Sequence, residues 1–502
     1  MSAAVDHLEF VGPEDRASRH ASDLRRGALA NLGGFAMRAA HPLLLVLTTQ
    51  LYGAARWGIF VAAQAAVMLV ARVSLLGFDK GLLYWLPTRD RAGQATGLRR
   101  ILVWAMAASV ACALLGVLCA GPLAAERGLP QASVPWTWMA LGILPQALGE
   151  FFSYASVARR RPEVLVVVRD LVLPFTLVGA AIGFHLLGFP DHGLAWAFLL
   201  AQCLGAATAF IGFRRQAGGM RAADRSEAVD PAFVQYALPL WAAEGLAVAT
   251  FRLDALVLAA CVEPAMVGVY GVVTQFGNTV RGGRVALDPV VHAVAADMAT
   301  APDRQKVRTA FGLASDMVMA TQLPLAFAAI CFAPLVLPWF GDGFARGELA
   351  VIIACVGWTV NGFLGLAGPV VSGYGGSRAT LLIGVVTLLV LALALALLVP
   401  ALGIDGAALA VALAFVTQGV LQCLGMRYVV GSWGISVARL PLLTRGGAAV
   451  AAACVTLVMI EPHEPQWWTR SVAVGVFAAL FVPAALRVYR RPHEDQTPEV
   501  SA

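Results

Sequence analysis

The chain has 502 residues, of which 59% are hydrophobic and 13% charged, and its mean hydropathy is +0.75. About a quarter of the residues of a soluble protein are charged, so this composition excludes a water-soluble fold. The apolar runs are continuous and about 20 residues long, which predicts membrane-spanning helices and excludes the alternating ten-residue segments of a β-barrel.

The chain begins with a polar segment that contains Arg16, Arg19, Arg25 and Arg26, which predicts a retained cytoplasmic tail over residues 1–26. The rest predicts an all-α integral membrane protein with fourteen transmembrane helices. The predicted spans are 28–52, 57–78, 101–122, 136–157, 164–189, 193–213, 234–261, 267–296, 309–338, 348–371, 379–400, 405–426, 442–460 and 470–488.

Charge on the connecting segments predicts the orientation of these spans. Most Lys and Arg lie in the segments that a cytoplasmic N-terminus would place in the cytoplasm, and four lie opposite: Arg56, Arg127, Arg346 and Arg470. Both termini are therefore predicted to be cytoplasmic. The formal net charge of +6 follows from this asymmetry and favours contact with anionic membrane lipids. The chain has no basic groove with interleaved aromatic residues, so no nucleic-acid partner is expected.

An internal repeat divides the first twelve spans into two sets of six. The run W-G-I-F opens span 2 at Trp57, and V-G-V-Y opens span 8 at Val267, 210 positions later. Arg72 in span 2 likewise has a counterpart in span 8, Arg281, which follows it by 209 positions. Because six is even, both sets enter the membrane in one orientation, which predicts parallel repeats related by a two-fold axis along the membrane normal.

The predicted organisation adds a C-terminal helical hairpin to these two bundles. In order, it has a cytoplasmic N-terminal tail over 1–26, a six-helix bundle over 27–213, a cytoplasmic linker over 214–232, a second six-helix bundle over 233–428, helices 13 and 14 over 429–489, and a cytoplasmic tail over 490–502.

Several ionisable side chains lie at depths where exposure to lipid is costly, so we expect them to face protein or water. Arg38 lies near the middle of span 1, and Glu244 lies at mid-depth in span 7, followed by Arg252 and Asp254. A carboxylate beside a cavity can have a raised pKa through desolvation, so Glu244 or Asp254 is the predicted titrating group if the protein couples to an ion gradient.

Span 8 is the most polar span, with Gln275, Asn278, Arg281, Arg284 and Asp288 at steps of three and four residues, which predicts one polar helix face. Arg281 with Asp288, and Arg72 with Asp79, could instead form ion pairs at the cytoplasmic rim. The excess of arginine favours a net-positive central cavity. A guanidinium can donate two parallel hydrogen bonds to two oxygens of one phosphate, so a positive cavity predicts an anionic substrate. The predicted binding residues are Arg38, Arg252, Arg281, Arg284 and Asn278.

Motifs for catalysis are absent from the sequence. It has no Walker A motif, no HExxH, no GxSxG and no aspartate-rich metal motif, so neither a metal site nor a bound cofactor is predicted. The longest predicted external loop, over 123–135, is too short for an extracytoplasmic catalytic domain. We therefore expect no enzymatic activity and no catalytic residues.

Four short runs resemble those of the polysaccharide (O-antigen/exopolysaccharide) flippases, which belong to the multidrug/oligosaccharidyl-lipid/polysaccharide exporter superfamily. They are L-G-F over 76–78, F-R-L-D over 251–254, V-G-V-Y over 267–270 and G-I-D-G-A-A-L-A over 403–410. The resemblance covers about residues 25–490 and includes the number of spans and the paired bundles.

The resemblance implies a flippase in the bacterial cytoplasmic membrane that turns an undecaprenyl-diphosphate-linked oligosaccharide to the outer leaflet by alternating access. It implies coupling to a proton or sodium gradient, a cavity with cations at Arg38, Arg252, Arg281 and Arg284, and polymerase and glycosyltransferase partners. Two alternatives stay open: a cation-coupled multidrug or metabolite antiporter of the same fold, and a scaffold subunit of a glycan-synthesis complex.

Overall fold

The computed structural model describes residues 41–86, 91–217, 231–285, 291, 304–364, 366–373, 377–431, 440–460 and 466–490. These residues form helices joined by short turns, which confirms the all-helical prediction for that part of the chain. Arg38, Asp288, the predicted tail over 1–26 and most of the linker over 214–232 lie outside the described residues.

The helices are numbered in chain order. They are α1 (His41–Ser74), α2 (Phe78–Trp85), α3 (Arg91–Glu126), α4 (Ser133–Leu141), α5 (Ile143–Ala158), α6 (Glu163–Val166), α7 (Leu173–Leu186), α8 (Gly193–Ala217), α9 (Pro231–Cys261), α10 (Pro264–Val285), α11 (Arg304–Val336), α12 (Glu348–Phe363), α13 (Ala367–Gly373), α14 (Ser377–Val430), α15 (Leu440–Ile460) and α16 (Gln466–Arg490). A π-helical turn, Val167–Val172, joins α6 to α7.

Two of the long helices are broken at a glycine. In α1 the break is at Gly53 (φ 75°, ψ 166°), and in α14 it is at Gly403 (φ 57°, ψ −126°). Glycine adopts a positive φ without the steric cost that a Cβ brings. A Cβ on Gly406 would overlap the carbonyl oxygen of Leu398, so the chain folds back on itself around Gly403. This reversal lies in the gap between the predicted spans 379–400 and 405–426.

Eight helical stretches of the described residues are long and apolar enough to cross a membrane: Pro42–Ser74, Gly97–Glu126, Glu163–Leu186, Gly193–Arg215, Phe311–Phe340, Phe344–Phe363, Arg378–Tyr428 and Gln466–Val488. The first and seventh of these contain the breaks at Gly53 and Gly403. The chain is therefore a multi-pass membrane protein, while the total of fourteen spans stays a prediction.

The described residues group into two compact units. The N-unit consists of the described parts of Met1–Thr48 and Val67–Gly245, and the C-unit of those of Thr49–Ala66 and Leu246–Ala502. The units follow the order of the predicted bundles, except that a segment of α1 groups with the C-unit and the first half of α9 groups with the N-unit. The predicted bundle boundaries themselves stay a prediction.

Each unit has its own apolar core. In the N-unit, the aromatic side chain of Phe233 lies 5.5 Å from Phe78 and 5.8 Å from Trp85 between ring centroids, which joins α9 to α2. In the C-unit, Phe327 of α11 stacks on Phe477 of α16 at 4.5 Å, so the last helices pack against α11. Between membrane helices, such packing stabilises mainly through van der Waals contact, because lipid is as apolar as the side chains.

Candidate functional site

The predicted polar face of span 8 lies on α10, where its members differ in exposure. Gln275 and Asn278 are exposed, Arg281 is partly buried and Arg284 is buried. A step of three residues turns an α-helix by about 300°, so three such steps move a side chain to the opposite face. The described members therefore do not share one face, and Arg281 marks the transition from the exterior of α10 to its buried side.

Arg284 lies inside the C-unit, where it is 9% exposed. Its guanidinium donates hydrogen bonds to Oδ1 of Asn361 on α12 and, at 3.2 Å, to Oε1 of Gln422 on α14. Nδ2 of Asn361 in turn donates to the carbonyl oxygen of Phe415 at 2.6 Å. Hydrogen bonds to a charged group stabilise by about 1.5–3 kcal/mol each, so Arg284 links three helices in the interior of the C-unit.

Arg281 lies against aromatic rings, three residues before Arg284. Its Cζ atom lies 4.2 Å from the ring centroid of Phe251 on α9 and 5.4 Å from that of Trp358 on α12. A guanidinium over a ring face is attracted by the ring quadrupole, by about 0.5–2 kcal/mol depending on exposure. Phe251 is 36% exposed, so this contact lies at the edge of the C-unit core.

Arg252 and Asp254 follow Phe251 on α9, in different surroundings. Arg252 is partly buried, whereas Asp254 is 7% exposed. The carboxylate of Asp254 accepts hydrogen bonds from the hydroxyl of Tyr270 at 2.8 Å and from the backbone N–H of Ala255 at 2.7 Å. Asp254 thus joins α9 to α10 in the C-unit.

Glu244 belongs to the N-unit, where its carboxylate lies beside a lysine that no sequence pattern singles out. Its Oε1 lies 3.3 Å from Nζ of Lys80 on α2, and the same Nζ lies 4.6 Å from the ring centroid of Tyr154 on α5. Lys80 is one of two lysines in the chain and follows the end of predicted span 2 by two residues. That position signals a charge near the membrane, but the sequence does not indicate its partners.

The same region of the N-unit contains a second ion-pair group. Arg72 of α1 lies 2.5 Å from a carboxylate oxygen of Asp79 and 2.6 Å from one of Glu150. The side chain of Asp79 is 1% exposed and that of Arg72 is 14% exposed. For Arg72 and Asp79 the structure thus shows the ion pair that the sequence left open as an alternative, and Glu150 joins it as an inter-helix partner from α5.

The described charges of this region comprise the cations Arg72 and Lys80 and three carboxylates, those of Asp79, Glu150 and Glu244. This group is thus acidic by one formal charge, while Arg252, Arg281 and Arg284 belong to the C-unit together with the buried Asp254. Within the described part of the chain, no group of three or more His, Cys, Asp or Glu side chains is arranged to hold a metal ion.

Solved structures of membrane transporters share this fold. The chain superposes on "Lipid II flippase MurJ, inward closed conformation" with a TM-score of 0.74 and 11% identity, over 93% of this chain and 99% of that one. An inward-facing multidrug-resistance MATE transporter matches with a TM-score of 0.63 and 12% identity, over 78% and 94%. A further transporter, from Pyrococcus furiosus, matches at 0.61 and 13%, over 82% and 95%.

The MATE transporter and the Pyrococcus transporter are members of the MOP superfamily, and the chain has the fold of all three structures. In the Pyrococcus transporter, the reverse polarity of the binding pocket suggests a different function for that protein. No family model matches the chain, and no curated protein matches it. At these identities the likeness establishes the fold, and the substrate has to be argued from the charged side chains.

Proposed function

We propose that the chain is a flippase that moves an undecaprenyl-diphosphate-linked oligosaccharide across the bacterial cytoplasmic membrane by alternating access. The product would supply surface polysaccharide synthesis, namely O-antigen, exopolysaccharide or capsule. In this proposal both termini are cytoplasmic, the chain itself makes and breaks no covalent bond, and glycosyltransferases and a polysaccharide polymerase act before and after it.

The observation that carries this proposal is the partly buried guanidinium of Arg281 at the edge of the C-unit core. A guanidinium keeps its charge at any physiological pH and presents paired N–H donors that fit two phosphate oxygens. Arg252 adds a second partly buried cation on the adjacent helix α9, while Arg284 anchors α10 from its buried side. The structural likeness to the lipid II flippase MurJ supports a lipid-linked substrate.

A flipping assay tests this proposal. The full-length chain is reconstituted into vesicles that contain a fluorescent polyprenyl-diphosphate disaccharide, and dithionite quenching reports its movement between leaflets. Loss of a charge-assisted hydrogen bond costs about 1.5–3 kcal/mol, so we expect Arg281→Ala to slow flipping by about 10- to 100-fold. Arg346→Ala is the matched control, because Arg346 is exposed in a predicted external loop. Equal rates for both variants and wild type would contradict the proposal.

A cation-coupled multidrug or metabolite antiporter is the second candidate. The excess of carboxylates in the N-unit, at Asp79, Glu150 and Glu244, favours it, because acids attract cationic drugs and coupling ions. The likeness to a MATE transporter supports it as well. Efflux of ethidium from cells that express the chain, with no flipping of the diphosphate probe, would favour this candidate over the first.

Coupling to a proton or sodium gradient would use Asp254 or Glu244. Asp254 is buried between α9 and α10 with two hydrogen-bond donors, whereas Glu244 is held by Lys80. Replacing Asp254 by Asn retains the shape of the side chain and removes its charge. We expect Asp254→Asn to abolish the dependence of flipping on an imposed gradient, and an unchanged dependence would exclude Asp254 from coupling.

A further inference from the structure

Two aromatic side chains lie against Arg281 in the C-unit, and a third ring packs against both of them. Phe251 of α9 stacks on Phe415 of α14 with ring centroids 5.1 Å apart and an interplanar angle of 25°. Trp358 of α12 lies 4.6 Å from the same Phe415 ring. The guanidinium of Arg281 lies over Phe251 and within 5.4 Å of Trp358. We name Phe251, Trp358 and Phe415 the aromatic clamp.

A missing side chain on α10 lets Trp358 reach this position. A Cβ on Gly277 would lie 3.0 Å from Nε1 and 3.1 Å from Cδ1 of the Trp358 indole, so the ring lies directly on the helix backbone. Gly277 precedes Arg281 by one turn, which places the indole beside the guanidinium. Trp358 is 8% exposed and Phe415 is 4% exposed, so two of the three rings are fixed by the core.

A ring that packs against the face of a guanidinium leaves the edge of that group as the part that can bind a ligand. The five N–H donors lie in the guanidinium plane and point outward from its edge, so a ring that packs against its face does not compete with a ligand for these donors. The ring also limits rotation of a long side chain, which otherwise loses conformational entropy when it binds. An ammonium group has no such plane, and it would gain less from the same rings.

We propose that the aromatic clamp positions Arg281 for paired hydrogen bonds to a diphosphate, with Phe251 and Trp358 as positioning residues that make this site specific for guanidinium. The inference rests on the proposed function, because it assigns the diphosphate headgroup to that same site. It goes further by naming residues that determine affinity for the headgroup without touching it.

The test measures binding of farnesyl diphosphate to the purified full-length chain in nanodiscs, by displacement of a fluorescent analogue. We expect Phe251→Leu, which keeps an apolar side chain of similar size, to weaken binding by about fivefold, and Phe251→Tyr to retain it within about twofold. Arg281→Lys is expected to lose at least about tenfold.

A matched control exists on α8. Phe210 is 40% exposed and lies beneath Arg214, with 5.6 Å between the Arg214 Cζ atom and the ring centroid. Phe210→Leu removes an exposed ring from beneath an arginine outside the site, and we expect unchanged binding.

The outcomes separate this inference from the proposed function. If Arg281→Ala weakens binding and Phe251→Leu does not, the aromatic clamp is rejected and the proposed site stands. If Phe251→Tyr is as weak as Phe251→Leu, Phe251 acts through packing alone and the inference is overturned. If Arg281→Ala binds farnesyl diphosphate as wild type does, the proposed site and the aromatic clamp both fail.

Discussion

The backbones of α1 and α10 touch within the C-unit, which makes a strong prediction for Gly58. A Cβ on Gly58 would lie 2.8 Å from the backbone nitrogen of Gly268 and would overlap the carbonyl oxygen of Pro264. The contact is reciprocal, because a Cβ on Gly268 would lie 3.0 Å from the nitrogen of Gly58 and would overlap the carbonyl oxygen of Ala54. Neither obstacle is a flexible side chain, so Gly58→Ala must force the two helices apart.

The cost of this separation follows from the packing around it. Tyr270 and Val272 of α10 are 2% and 0% exposed, so movement of α10 disturbs a filled interior. Overpacking of this kind costs about 1–3 kcal/mol, offset in part by the gain of about 0.5–1 kcal/mol that alanine gives over glycine in a helix. We therefore expect Gly58→Ala to lower the free energy of unfolding by about 1–2 kcal/mol.

Gly179→Ala in α7 is the control for that experiment. A Cβ on Gly179 would meet nothing within 4 Å, so only the helical gain applies and the variant should be as stable as wild type or more so. Both variants are compared by denaturant titration of the detergent-solubilised chain, followed by circular dichroism. A Gly58→Ala variant at least as stable as Gly179→Ala would refute the argument from the backbone contact.

Three further predictions concern charge and backbone geometry. Arg72→Leu leaves the carboxylate of Asp79 buried without that cation and should lower the free energy of unfolding by about 3–5 kcal/mol. Adding Asp79→Asn to this variant should restore part of that stability, and a double variant no more stable than Arg72→Leu would contradict the pairing. Gly53→Ala should lower the free energy of unfolding by about 1–2 kcal/mol because φ is 75° at this position. An unchanged midpoint of thermal unfolding would argue against a break of the helix there. Asn361→Leu removes a hydrogen-bond acceptor of Arg284 and should lower the free energy of unfolding, measured by denaturant titration, by about 1–3 kcal/mol. Unchanged stability would show that the hydrogen bond between Arg284 and Asn361 does not stabilise the fold.

The helical membrane fold could be predicted from the sequence because its signals are local. Composition, the length of apolar runs and the gaps near Gly53 and Gly403 each depend on neighbouring residues. The pairing of Arg72 with Asp79 could be predicted for the same reason, since the two are seven residues apart. Local patterns also carry the resemblance, and the chain has the fold of a solved lipid II flippase and of solved MATE transporters.

The candidate site was harder to predict because its contacts join distant segments. Arg284 meets Gln422 across 138 residues and Asn361 across 77, and no spacing in one sequence shows such pairs. Lys80 could not be singled out because a charge at the end of a span is ordinarily solvated, and its pairing with Glu244 depends on α9 lying beside α2. The polar face of span 8 rested on steps of three residues, whose rotation accumulates along the helix.

Gly58 and Gly268 also bear on the internal repeat. They occupy the same place in the runs W-G-I-F and V-G-V-Y, 210 positions apart. A Cβ on either glycine would lie within 3.0 Å of the backbone nitrogen of the other. Residues that are equivalent under a two-fold rotation touch each other reciprocally where the axis passes between them. The parallel repeat itself stays a prediction. The contact shows that the two matching runs meet backbone to backbone within the C-unit, where glycine at both positions leaves room for it.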